Sequence, residues 1–135
     1  MPEADPARVA IRFVNEINRH DVPAILALMS DDHLFVDGLG QETRGKERLR
    51  EAWTAYFGWF PDYRILIENH LEEGIVVGLF GSASGTYAVN GELSPTRRWK
   101  IPAAWKAIVR EGRVEHWQVY ADNEPVWEVM GVKRP

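Results

Sequence analysis

Along HLFVD, residues 33–37, an imidazole, an aromatic ring and a carboxylate fall on alternate positions. If this segment is a strand, His33, Phe35 and Asp37 share one face, and Leu34 and Val36 the other. A carboxylate on a shielded face loses water. That raises its pKa and suits it to take a proton as a general base. Asp37 is therefore the first candidate for acid–base chemistry, the competing role being to cap the Gly38–Gly40 loop through side-chain hydrogen bonds. His33 would orient Asp37 or donate to a substrate oxygen. Its place just after Asp31-Asp32 favours a half-exposed turn residue instead. Trp53 and Tyr56 read as core or as pocket wall, the tyrosine hydroxyl then serving as a donor. Asp122 precedes Asn-Glu-Pro, a helix-start pattern, and reads as an N-cap before it reads as an acid.

Other chemistries are poorly provided for. The chain has no Cys, which excludes disulfides, thiolate metal sites and a Cys nucleophile. Its four His are scattered without HxH or HxxxH spacing, so no metal site and no cofactor are expected. Sixteen Lys and Arg against 20 Asp and Glu give a net charge of −4, which argues against nucleic-acid binding. Arg97-Arg98-Trp99-Lys100 then reads as a solvated strand face. Six Trp in 135 residues is unusual. Trp99, Trp105 and Trp117 are core or interface residues, or rings that stack on a flat ligand.

These side chains need elements to hold them. Asp5-Pro6 starts a helix whose stripe is Val9, Phe13 and Ile17, running to about His20. Asp21 starts a second, with Ile25, Leu26, Leu28 and Met29. The first strand is expected at 33–37, and a third helix at 45–57 with Leu49, Trp53, Tyr56 and Phe57 as its stripe. Strands follow at 63–71 and 75–89, a hairpin signal at Asn90-Gly91, then strands at 97–109 and 114–121. Odd positions from Trp99 to Val109 are apolar and even positions carry the Lys and Arg, a clear period of two. A short helix ends at Gly131. The pattern predicts an α+β cone: a curved, largely antiparallel sheet wrapped over three helices, with a short C-terminal helix, in one domain over residues 1–135. MPEADPAR lacks the apolar core of a signal peptide and no apolar run is long enough to span a membrane, so a cytoplasmic location is expected.

FVNEINRHDVPAILALMSDDHLFVDGLG (13–40), RGKERLREAWTAYF (44–57), FPDYRILIENHLEEG (60–74) and EGRVEHWQVYAD (111–122), taken in this order, resemble the SnoaL-like branch of the nuclear transport factor 2-like superfamily. Ketosteroid isomerase and limonene epoxide hydrolase are relatives of that branch. The resemblance implies a cone with an apolar interior, and it places Asp37 at the isomerase's general base. At the isomerase's oxyanion-hole positions stand Phe13 and, within one residue, Ala104 or Trp105, none with the required donor. At the hydrolase's catalytic Asp stands Val119, and its Arg and second Asp fall in the uncharged stretch 76–80. Polyketide cyclases of the family use a late-strand Asp, for which Asp122 is the nearest acid.

Together these readings anticipate a small-molecule pocket lined by Phe13, Phe35, Trp53, Trp105, Trp117 and Val119. Asp37, His33 and Tyr56 are the catalytic candidates, and the partner is a small apolar or aromatic molecule. Two function classes stay open: a cofactor-free isomerase, cyclase or hydrolase moving a proton through Asp37, and a non-catalytic binding domain. A mixed polar face carrying Arg64, Glu68, His70, Gln118 and Tyr120, with His116 beside them, is expected to pair two copies into a homodimer.

Overall fold

Asp5 and Asp21 begin the first two helices as their types suggest. In the computed structural model, which describes residues 5–133, the Asp5 carboxylate accepts from the Ala7 N–H at 3.2 Å and opens α1 (Pro6–Asn18). The Asp21 carboxylate accepts from the Ala24 N–H at 3.1 Å and opens α2 (Val22–Ala27). Each satisfies one of the donors that a helix start leaves without a partner. β1 (Met29–Val36), the short β2 (Glu42–Arg44) and α3 (Lys46–Trp59) follow. Four strands make up most of the remainder: β3 (Arg64–Glu73), β4 (Val76–Val89), β5 (Glu92–Arg110) and β6 (Arg113–Tyr120). The short α4 (Glu124–Met130) ends at Gly131, whose φ of 70° supplies the left-handed cap.

The sheet runs β2-β1-β6-β5-β4-β3. Each of the three hairpins from β3 to β6 turns on two residues, at Gly74-Ile75, at Asn90-Gly91, with φ of 53° and 78°, and at Glu111-Gly112, with φ of 53° and 74°. Two successive left-handed residues match the twist of the flanking strands. On β5 the expected alternation holds, with Trp99, Ile101, Ala103, Trp105, Ala107 and Val109 all buried. They face the side on which α1 packs across β3 to β6, with α4 also against β5 and α3 against β1 and β4. The sheet bends where β3 shifts register between Ile67 and Asn69. Across that point Gly81 lies so close that a Cβ on it would sit 1.8 Å from the Leu66 carbonyl oxygen. Only glycine fits there.

Edge strand β3 is tied to α1 by a side chain acting as a strand. Asn18 Nδ2 donates to the Ile65 carbonyl at 2.9 Å, and the Ile65 N–H donates to Asn18 Oδ1 at 2.8 Å. No helix among the described residues is long and apolar enough to cross a membrane.

The sheet is largely antiparallel as expected, with four of its five junctions antiparallel and β1 running parallel to β6. Two expectations are corrected. The first strand begins at Met29, and a register shift between Met29 and Leu34 breaks its alternation. His33 is not a half-exposed turn residue but is fully buried: it lies on the same inward face as Phe35 and Asp37, beneath Phe13, with ring centroids 6.0 Å apart. A smaller difference concerns α4, whose N-cap is Asn123, while Asp122 accepts from the Glu124 N–H at 3.0 Å from one residue earlier.

Candidate functional site

Helix α3 stands off the inner face of the sheet and leaves a cavity of about 390 Å³. Strands β4, β5 and β6 form its floor, α3 one wall, and the segments after β1 and β6 another. All six tryptophans of the chain line it. Trp105 and Trp117, on neighbouring strands, stack at 24° with centroids 6.3 Å apart. Trp53 projects from α3 and packs on Phe57 at 5.4 Å. Trp99 meets Tyr63 at 6.0 Å and Phe60 edge-on at 5.2 Å. Trp59 and Trp127 complete the set, and Phe35, Tyr56 and Tyr63 bring the lining to nine aromatic rings. The indole N–H groups of Trp53 and Trp99 are buried and have no acceptor.

Tyr56 and Tyr63 meet edge to face at 4.9 Å, and their hydroxyls share a hydrogen bond. Burial pushes both phenol pKa values above the usual 10, and repulsion between the pair adds to the rise at Tyr56. Both therefore keep their protons and do not serve as bases; one O–H is donated within the pair and the other is left to offer.

Asp37 lies on the cavity lining at the end of β1, and it also caps its loop. The Leu39 and Gln41 N–H groups both donate to Asp37 Oδ1 at 2.9 Å. The Asp37 N–H donates to the Gln41 carbonyl and the Gly40 N–H to the Asp37 carbonyl, closing the turn. Oδ2 takes part in none of these bonds. The capping role read from the sequence thus uses Oδ1 alone. Beside it, Gly38 presses on Asn123, which also lines the cavity: a Cβ at Gly38 would lie 2.9 Å from Asn123 Nδ2.

Of the residues singled out from sequence, Asp37, Tyr56, Phe35, Trp53, Trp105, Trp117 and Val119 come together on this lining. Phe13 and His33 do not. Phe13 is fully buried against Trp117 at 4.9 Å, on the far side of that ring. The His33 Nδ1–H donates to the Val114 carbonyl at 2.6 Å, and its Nε2 has no partner. Burial lowers the His33 pKa to about 4, outweighing the Val114 bond, so the ring is neutral at physiological pH. Asp122 is exposed and off the lining. Tyr63, Trp59, Trp127 and Asn123 belong to the cavity without having been singled out. The tryptophan count was the signal that pointed to three of the lining rings. Among the described residues, no cluster of three or more His, Asp or Glu is placed to hold a metal ion.

Known structures share this architecture across nearly the whole chain. A candidate SnoaL-like polyketide cyclase from Jannaschia sp. CCS1 superposes with a TM-score of 0.81 at 17% identity, covering 98% of this chain and 95% of its own. IdmH, a candidate polyketide cyclase from Streptomyces antibioticus, gives 0.78 at 19% identity, covering 96% and 100%. A protein of ketosteroid isomerase-like fold from Catenulispora acidiphila DSM 44928, solved with trimethylamine, gives 0.75 at 17% identity, covering 93% of each chain. At these identities the likeness is one of fold. No curated protein sequence matches the chain. The family model of the SnoaL-like domain matches residues 10–121, and the chain belongs to that family.

Proposed function

We propose that this chain binds a ring-bearing small molecule in the cavity under α3 and, as an enzyme, moves a proton on it without a cofactor. One observation carries the binding half: all six tryptophans line a single cavity of about 390 Å³, within the size range of small-molecule sites. A core needing only apolar volume is filled better by aliphatic side chains than by large planar rings. For the chemistry, Asp37 is the one carboxylate on the lining and Oδ2 is the atom that would take the proton. Tyr56, held protonated, is the donor that would stabilise an oxygen as charge builds on it. The reaction class is isomerisation or cyclisation by proton transfer, on a ring or polyketide-like substrate.

A second reading, binding without turnover, draws on the two N–H groups that hold Asp37 Oδ1 and on the distance of His33 from the lining. Asp37→Asn separates the two. The amide still accepts from Leu39 and Gln41, so the loop stays closed, while the base is lost. Turnover of a ligand recovered with the purified protein should fall by about 10²–10⁴. Unchanged turnover would remove Asp37 as the base. A ligand that is retained and never converted by the unaltered protein would establish the second reading.

We also propose that two copies pair through the outer sheet face. There Phe80, Ala104 and Tyr120 form one cross-strand row, and Leu66, Ser82 and Pro102 another. Leu66, Phe80 and Tyr120 are each exposed by about half, at 50%, 42% and 49%.

A further inference from the structure

The charge inventory of the cavity narrows what it takes; the argument rests on the cavity being a ligand site. Its lining holds one carboxylate, Asp37, and no Lys, Arg or His. The basic side chains of β5 at Arg98, Lys100 and Lys106 take the even positions, opposite the odd-numbered face that lines the cavity. Arg44, next to the lining residue Thr43, is exposed and donates to the Asp32 carbonyl at 3.0 Å. Arg97 donates to the Tyr87 and Glu92 carbonyls, both at 3.0 Å. His33 is neutral and outside the lining.

A buried anion would find no counter-charge here, and desolvating an unpaired charge is costly. The donors on offer are neutral: the one phenol O–H left over from the Tyr56–Tyr63 hydrogen bond and the indole N–H groups of Trp53 and Trp99, none of which carries a charge to offset that of a buried anion. A cation meets the opposite situation. Ring faces attract positive charge through their quadrupoles, indole most strongly, and desolvated contacts are the strongest of these. Nine rings surround the space, six of them indoles, and the free Oδ2 of Asp37 supplies the one formal negative charge. At about 390 Å³ the space exceeds a bare alkylammonium and accommodates one carried on a ring.

We propose that the cavity selects ring-bearing organic cations, a tertiary or quaternary ammonium on an aromatic or alicyclic frame, over neutral and anionic molecules of the same shape.

Three probes of nearly equal shape test this: meta-hydroxyphenyltrimethylammonium, meta-tert-butylphenol and meta-hydroxybenzenesulfonate. Each is titrated into the full chain by calorimetry and tryptophan fluorescence, and into Asp37→Asn. The ammonium should bind at least about tenfold more tightly than its neutral isostere, with the sulfonate weakest. In Asp37→Asn the ratio of cation to neutral affinity should fall at least about threefold. Equal binding of ammonium and tert-butyl probes, or tighter binding of the sulfonate, would overturn cation selection and leave the ligand-site reading standing. Failure of all three to bind folded protein would count against both. A strong ammonium preference that survives unaltered in Asp37→Asn would overturn the part assigned to Asp37.

Discussion

His33 makes folding stability depend on pH in a way that can be worked out beforehand. Its ring is fully buried, donates one hydrogen bond to Val114, and has a second nitrogen with nothing to donate to if it were protonated. The folded pKa of about 4 lies below the unfolded value of 6.5, so the unfolded chain takes up the proton first as pH falls. Stability from this group is therefore complete above pH 6.5, declines between 6.5 and 4, and is level below. At about 1.36 kcal/mol per pKa unit the full loss is about 3 kcal/mol, of which about 2 kcal/mol is gone by roughly pH 5. Carboxylates titrate in the same region, so the measurement is a difference. Urea unfolding followed by tryptophan fluorescence at about pH 7.5 and about pH 5 is compared between the unaltered chain and His33→Leu. The variant leaves the Val114 carbonyl unpaired, a cost that does not change with pH. The unaltered chain should lose about 2 kcal/mol more than the variant between the two conditions. Parallel losses in the two proteins, or a His33 ring proton resonance titrating near 6.5, would refute the reasoning.

Gly81→Ala should cost more than about 3 kcal/mol or abolish soluble expression, since the new methyl meets backbone at Leu66, whereas Gly78→Ala meets only the Phe80 ring at 3.3 Å and should be tolerated. Thermal melts of the two variants decide it, and equal midpoints would count against the close approach. Asn18→Ala leaves both backbone groups of Ile65 without their partner and should lower stability by about 2 kcal/mol in denaturant unfolding. Sedimentation at micromolar concentration should show a dimer of the 15.5 kDa chain burying over about 1,000 Å², and Phe80→Glu should return it to monomer. A purely monomeric unaltered chain would remove the outer-face pairing.

What could be read from the sequence was what is local. The caps at Asp5 and Asp21, the turn at Asn90-Gly91 and the alternation from Trp99 to Val109 each depend on neighbours within a few positions. What could not be read depends on partners far along the chain. The face of His33 was legible from the alternation of 33–37, but its burial was not, because it is closed over by Phe13 and by Val114, 81 residues along the chain. Phe13 lies on the correct apolar stripe, yet whether it meets the cavity or the back of Trp117 depends on where α1 crosses β6. The Asp37 cap was legible because the carboxylate and the loop N–H groups it holds lie within four residues of one another. Trp59 escaped notice because it ends its helix, and Trp127 because a seven-residue helix is too short for periodicity to say which side faces in.

The parallel junction between β1 and β6 has a consequence for the order in which the chain assembles. His33 and Val114 are 81 residues apart, and β1 pairs with β6 along its length. During synthesis β1 emerges early and gains only the three-residue β2 as a neighbour until the last strand leaves the ribosome. Closing so long a loop carries an entropic cost that the local hairpins of β3 to β6 do not bear. The β3–β6 meander bears no such cost, and α1 packs on β3 and β5 as well as on β6, so of the N-terminal elements β1 is the one whose main strand partner comes last. A nascent chain stopped before residue 113 would present Met29–Val36 as an unpaired strand edge, open to wrong partners. The final 20 or so residues therefore control when the first third of the protein becomes safe from aggregation.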